Sequence, residues 1–279
     1  MSNLTDISTA TRLNEQLAAE AFSRQAGVFD EQYAGDTIIQ YKRKRVRTHV
    51  EQYLPNTGAH ILELNAGTGE DALYFASKGH HVHATDIAIG MQDRLREKVE
   101  QANMSHRVTT AVCSFTDLAQ LQQRGPYDLV FSNFAGLNCT DRLDAVLQEL
   151  SPLLKPGGLI TLVILPKFCL WETLLVFKGK FKTATRRLFS SNGVLSHIEG
   201  AYFKCWYYSP GYIVRRLAKD FELERIEGLC TLVPPSYMEQ FAEKHPRVYA
   251  LLVERENKWK GKWPWRVIGD YYIITMRKK

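Results

Sequence analysis

The chain has 279 residues, 45% of them hydrophobic and 24% charged, with a net charge of +6. Such a composition excludes a disordered or low-complexity chain, and the length suits one elaborated α/β core. No apolar run approaches the ~20 residues that span a bilayer. The polar start, Met1 to Thr11, carries no secretory signal.

The five cysteines, Cys113, Cys139, Cys169, Cys205 and Cys230, show no CxxC spacing. Their odd number points to reduced thiols in a cytoplasmic protein, with no metal site. The charge is uneven. Between Leu165 and Ser190, Lys167, Lys178, Lys180, Lys182, Arg186 and Arg187 face the single acid Glu172. A second basic run, Lys42 to Arg47, is balanced by acids elsewhere and reads as a solvated helix face.

From Asn14 to Tyr53 the pattern is helical, with pauses expected at Gly27 and Gly35. Pro55 to Gly58 is a turn. Strands are predicted at Ile61–Leu64, His81–Thr85, Arg107–Val112, Tyr127–Ser132 and Leu159–Leu165. Helices are predicted at Asp71–Ser77, Met91–Asn103 and Leu143–Leu154, the last closed by Lys155-Pro156-Gly157-Gly158. Continuous apolar strands alternating with helices mean a parallel sheet covered on both faces, hence a doubly wound, Rossmann-like α/β fold. The rhythm then breaks over Pro166 to Tyr208, a long basic and aromatic insertion. A helix at about Gly211–Lys219 and a strand at Phe221–Glu227 resume it. A second insertion, Pro234 to Pro264, precedes a last strand, Ile268–Thr275. The expected parts are an N-terminal helical cap (1–54), a core (55–165), a lid or acceptor-binding insertion (166–208), and a C-terminal part of the core (209–279) carrying the insertion at 234–264.

The sharpest motif is Glu63-Leu64-Asn65-Ala66-Gly67-Thr68-Gly69, after a buried strand and before a helix. Glycine there lets backbone turn and approach a ligand, and the helix start offers free N–H groups. A dinucleotide site needs GxGxxG, but Asn65 stands at the first glycine. Glu70, at the third, would set a negative charge where the pyrophosphate belongs.

The motif resembles the first motif of the class I S-adenosylmethionine (SAM)-dependent methyltransferases, with Asn65 in place of a glycine. The resemblance covers about Ala21 to Lys279. It looks closest to the bacterial small-molecule branch that includes ubiquinone, menaquinone and natural-product enzymes. It implies a seven-stranded sheet with the last strand antiparallel, N-terminal helices over the cofactor, and a lid after the fifth strand. It also implies that SAM is the cofactor and S-adenosylhomocysteine the product. Glu63, Asn65, Ala66, Gly67 and Gly69 would form the cofactor turn. Asp86, ending the second strand, would bind the ribose hydroxyls, with Ile87 and Met91 packing the adenine and ribose. Ser114 occupies the place of an acid that often reads the adenine amino group, with Phe115 beside it. Asn133 and Phe134 would line the methyl-transfer end, and Phe29 and Tyr33 lie in the segment that covers the cofactor.

Methyl transfer from a sulfonium is an in-line displacement that depends mainly on placing the nucleophile, so positioning dominates. The aromatic insertion suggests a wall for an apolar acceptor, with Phe168, Trp171, Tyr202 and Trp206 as substrate contacts. His197 is the one histidine there, and imidazoles titrate where a general base must; Tyr207 and Tyr208 are alternative positioning groups. For each of these residues the plainer reading is a structural one.

The basic insertion (167–187) has three readings: a solvated face, a site for an acidic group or carrier-protein arm on the acceptor, or contact with an anionic membrane. The expected activity is methyl transfer to an O, N or C nucleophile of a small aromatic or lipophilic metabolite in biosynthesis. The alternatives are an RNA or protein methyltransferase, or a non-catalytic or non-methylating SAM-binding protein. After the fourth strand the chain reads Ser132-Asn133-Phe134-Ala135, not the Asn/Asp-Pro-Pro-Tyr used on base nitrogens. This argues against nucleic acid as the partner.

Overall fold

The computed structural model describes residues 2–279 except 199 and 239, and the side chains of all of these except 2–11 and 32. Two helices open the chain, α1 (Ser2–Ala34) and α2 (Thr37–Glu51). The helix runs through Gly27 without the expected pause and breaks at Gly35. Asp36 starts α2 by accepting the N–H groups of Ile38 and Ile39, both at 2.8 Å.

The core alternates β1 (His60–Leu64), α3 (Glu70–Ser77), β2 (His81–Asp86), α4 (Ile89–Gln101), β3 (Val108–Val112), β4 (Tyr127–Ser132), α5 (Leu143–Leu153) and β5 (Leu154–Ile164). The insertion that follows holds two short helices, α6 (Leu170–Thr173) and α7 (Phe181–Thr185), and a hairpin of β6 (Val194–Ile198) and β7 (Ala201–Cys205). The chain ends with α8 (Pro210–Leu217), β8 (Phe221–Leu229), α9 (Phe241–Lys244), α10 (Pro246–Trp259) and β9 (Tyr271–Lys278). The last strand starts three residues later than the pattern predicts, because Ile268 belongs to the loop before it.

Seven strands form one sheet in the order β3-β2-β1-β4-β5-β9-β8. β1 to β5 run parallel, and β9 lies antiparallel between β5 and β8. The strand order reverses between β1 and β4. In open α/β sheets such a switch point leaves a crevice beyond the carboxyl ends of the strands. Both faces of the sheet are apolar. Leu62, Leu64, Val130 and Ile160 pack toward α5 and α8, while Ile61, Phe131, Leu159 and Ile273 pack toward α2, α3 and α4. Among the described residues no helix is long and apolar enough to cross a membrane.

Candidate functional site

A cleft opens at the switch point, with about 890 Å³ of empty space including its mouth. Its floor is the turn after β1, its sides are the ends of β2, β3 and β4, and its roof is α1. Glu63, Asn65, Ala66, Gly67, Asp86, Ile87, Met91, Ser114, Phe115, Asn133, Phe134 and Phe29 all line it. These are the sequence-expected cofactor residues except Tyr33 and Gly69. Tyr33 packs its ring on Phe29 outside the cleft, with centroids 4.7 Å apart. Gly69 caps α3 with φ +79°, and a Cβ there would meet Leu95 Cγ at 2.5 Å. Its role is to let the turn close onto α4.

Asn65 departs from glycine yet takes a left-handed φ of 47°, which asparagine tolerates better than most residues. Both ends of its amide are engaged. Nδ2 donates to the Asn133 carbonyl at 2.8 Å, and Oδ1 accepts from Ser132 Oγ at 2.6 Å. The side chain fits because residue 136 is glycine: a Cβ there would lie 2.3 Å from Asn65 Cγ. Asn65 thus ties the end of β1 to the end of β4.

Glu63 is 3% exposed. Its Oε2 has no hydrogen-bond partner among the described residues. Burial, then the neighbouring Asp71, pushes its carboxyl well above the usual carboxylate range, against the pull of Arg47 and Arg43. Asp71 itself accepts from Arg47 Nε at 2.6 Å and from Asn133 Nδ2 at 2.7 Å. Asp86 accepts the Gly67 N–H at 2.9 Å on one oxygen and the Ala88 N–H at 2.8 Å on the other. Burial raises its pKa while those N–H groups lower it. Each oxygen keeps acceptor capacity for a further donor.

Among the cleft residues outside the sequence-expected set, Glu15 and Arg43 bring buried charge to it. Glu15, on α1, is buried and accepts from Ser114 Oγ at 2.9 Å, Thr116 Oγ1 at 2.7 Å and Thr140 Oγ1 at 3.1 Å. It brings an acid to the place where the family expects one and the sequence has Ser114. Arg43, on α2, is also buried. Among the described residues its guanidinium donates no hydrogen bond; it sits over the Phe134 ring at 5.2 Å, with Glu70 3.9 Å away. The run Lys42 to Arg47 is therefore not a solvated face: Lys42, Arg43 and Arg45 are all buried.

The expected catalytic and acceptor residues are not brought to the cleft. β7 alternates, so Ala201, Phe203 and Cys205 point inward onto α1 while Tyr202 and Lys204 point out. His197 pairs with Tyr202 in register and shares its outer face, the two rings 4.5 Å apart. Tyr207 is buried beneath Arg187, and Tyr208 donates to the Thr140 carbonyl at 2.5 Å. Trp206 packs on the core beside Gly193, and Trp171 is half-buried with its indole N–H unpartnered. Phe168 borders a separate groove with Pro166 and Lys167. The aromatic insertion backs α1 instead of walling the cleft. Arg187 is likewise no surface charge, since it is buried and holds Glu172 and Asp270, each at 2.7 Å; Arg186 also holds Glu172 but stays exposed.

Residues 61–158 match the model of a methyltransferase domain. The tRNA 5-carboxymethoxyuridine methyltransferase of Escherichia coli K12 is 23% identical over 278 residues, 93% of this chain and 94% of that protein. The tuberculostearic acid methyltransferase of Mycobacterium tuberculosis is 25% identical over 193 residues; the match takes in 63% of this chain but only 42% of that longer protein. Among solved structures, the 1,6-didemethyltoxoflavin-N1-methyltransferase of Burkholderia thailandensis, with S-adenosylhomocysteine bound, superposes with a TM-score of 0.56 at 15% identity, over 96% of this chain and 90% of that one. The matched segment runs from the first residues of β1 to the glycine turn inside β5, and so contains the floor and both sides of the cleft. With that segment, the strand order and the cleft in agreement, residues 61–158 form a methyltransferase domain of the SAM-dependent kind.

Proposed function

We propose that the cleft holds the amino-acid end of SAM between Glu63 and Arg43, the ribose at Asp86, and the adenine beside Ser114, Phe115 and Glu15. The acceptor is a small lipophilic metabolite. One observation carries the cofactor placement: the buried, unpartnered oxygen of Glu63 in the cleft wall. An unpaired buried carboxylate is costly unless a cation answers it. SAM presents an ammonium and a carboxylate on one carbon, and Glu63 with Arg43 offers the opposite charges. Asp86 can accept two ribose hydroxyls while keeping its backbone contacts. Bound there, SAM supplies a methyl group already activated on its sulfonium. The chain's part is to orient it and to exclude water under α1, for which Phe22 and Phe29 supply an apolar roof.

The lipophilic reading of the acceptor rests on that apolar lining and on the likeness to the tuberculostearic acid enzyme. A second reading, methylation of tRNA, is favoured by the end-to-end match to the E. coli tRNA enzyme. The test incubates the purified protein and methyl-labelled SAM with a bacterial lipid extract and, separately, with bulk tRNA. Label is expected in the organic phase and is expected to vanish with Asp86→Ala. Label that precipitates with tRNA would replace the first reading by the second. Label in neither fraction, with SAM binding intact, would sink both.

A further inference from the structure

After β5 the chain leaves the carboxyl end of the sheet and forms a projecting segment, residues 174–189. It carries three phenylalanines turned to solvent: Phe177 is 86% exposed, Phe189 79% and Phe181 63%. Leu174 and Leu188 are exposed beside them. Lysines interleave the aromatic residues: Lys178, Lys180 and Lys182 are all exposed. Between Leu165 and Ser190 the only acid is Glu172, and it is buried under Arg186 and Arg187. The surface of the segment is therefore apolar and positive, with no negative charge of its own.

The segment is not a loose loop. Its base is fixed by Arg187, which donates to the Asp270 carbonyl at 2.8 Å and to its carboxylate at 2.7 Å. The Leu170 N–H donates to the Ile268 carbonyl at 2.9 Å. Both contacts lie where β9 begins, so the segment stands at the same end of the sheet as the mouth of the cleft. The loop into β9 adds Trp263, 76% exposed and next to the exposed Lys262.

Exposed apolar side chains are costly in water unless a partner covers them. We propose that residues 174–189 dock this protein on an anionic bilayer: the phenylalanines enter the interface and the lysines meet lipid phosphates. Large apolar groups flanked by cations are what such a surface selects. Charge complementarity favours an anionic lipid surface over a protein partner, because the exposed apolar groups are interleaved with cations and carry no acid among them. Docking by this end places the cleft mouth beside the membrane. The inference does not depend on which acceptor is methylated.

The test is flotation of the intact chain with phosphatidylcholine vesicles, with and without one-third phosphatidylglycerol. Binding is expected only to the phosphatidylglycerol vesicles. The triple variant Phe177→Ser, Phe181→Ser, Phe189→Ser should lose it. The double variant Lys178→Ala, Lys182→Ala should weaken it by roughly thirty-fold, from the cost per cation near an anionic surface. Retained binding of S-adenosylhomocysteine checks that each variant is folded. Failure of the wild type to bind, equal binding to both vesicle types, or unchanged binding by the triple variant would each overturn the proposal.

Discussion

The carboxyl of Glu63 is the residue on which stability and ligand binding oppose each other. In the unfolded chain it ionises near pH ~4.3. In the folded protein burial and Asp71 hold it well above that value. Between the two pH values the folded protein keeps a proton that the unfolded chain has lost, so stability falls as pH rises through that window. Glu63→Gln removes this penalty. The variant should melt a few degrees higher than wild type at pH 8, from a gain on the order of 1–2 kcal/mol, and no higher at pH 4. It should also bind SAM at least tenfold more weakly, and wild-type affinity should fall as acid protonates Glu63. Calorimetry and melting curves at both pH values check this; an unchanged affinity would sink the placement of the ammonium. Glu63 was legible in the sequence because it stands at a fixed offset from a glycine turn. Glu15 was not, since it meets Ser114 across 99 residues of chain and no local pattern marks it. The signal for Asn65 was half present: an asparagine replaces the glycine at one strand end, and a glycine, Gly136, follows another strand. Only the packing reveals that one makes room for the other.

At the scale of elements, the cleft depends on how closely α1 lies over α4. Gly90, in the first turn of α4, donates its N–H to Ser23 Oγ at 3.3 Å. A Cβ on it would come within 2.7 Å of the Ser23 carbonyl oxygen and 3.1 Å of its Cα. Those are backbone atoms, so α1 itself would have to move. Alanine favours a helix over glycine by up to ~1 kcal/mol, so Gly90→Ala should leave α4 sound and displace the roof. We expect faster amide exchange in α1 and weaker binding of S-adenosylhomocysteine, roughly tenfold for a loss of about 1.4 kcal/mol. Unchanged exchange and affinity would show that α1 does not close the cleft. The sheet strands could be read from the sequence because strands buried on both faces are nearly continuous apolar runs, broken by Glu63 in Ile61–Leu64 and by Asp128 and Ser132 in Tyr127–Ser132. The insertion could not. Its aromatic content signals burial or contact without saying against what, and the hairpin register that turns His197 outward is set by packing on α1. Counting charges likewise made Arg187 look like surface, because the count omits its buried partners, Glu172 and Asp270.

Across the molecule, the two ends of the chain are locked by one acid in the second insertion. Glu256, on α10, is buried, and its Oε2 accepts three successive backbone N–H groups, those of Thr231, Leu232 and Val233, at 2.8 to 2.9 Å. Its Oε1 accepts from the Cys230 N–H and the Tyr41 hydroxyl, each at 2.9 Å, and from Arg45 at 3.3 Å. Arg45 also reaches Glu227 at 3.3 Å, and Lys260 meets Glu227 at 3.0 Å. Burial alone would raise the Glu227 carboxyl; His49 and Lys260 hold it far below the usual range. Helix α2, the end of β8 and α10 thus share one network, and Cys230 keeps a left-handed φ of 52° inside it. α2 also carries Arg43 into the cleft, so the same network sets the cation opposite Glu63. Glu256→Ala leaves the Tyr41 hydroxyl and four backbone donors without their acceptor and takes from Arg45 one of its two carboxylates, and should cost about 3–5 kcal/mol in urea unfolding. Glu256→Gln keeps one acceptor oxygen and should fall between wild type and the alanine variant. If the network only supports the fold, both variants will bind S-adenosylhomocysteine normally while folded. If it positions Arg43, affinity will fall in step with stability, and Glu256→Gln will show a measurable share of that loss well below its melting temperature. An alanine variant within about 1 kcal/mol of wild type would mean that the insertion packs on α2 without needing its buried acid.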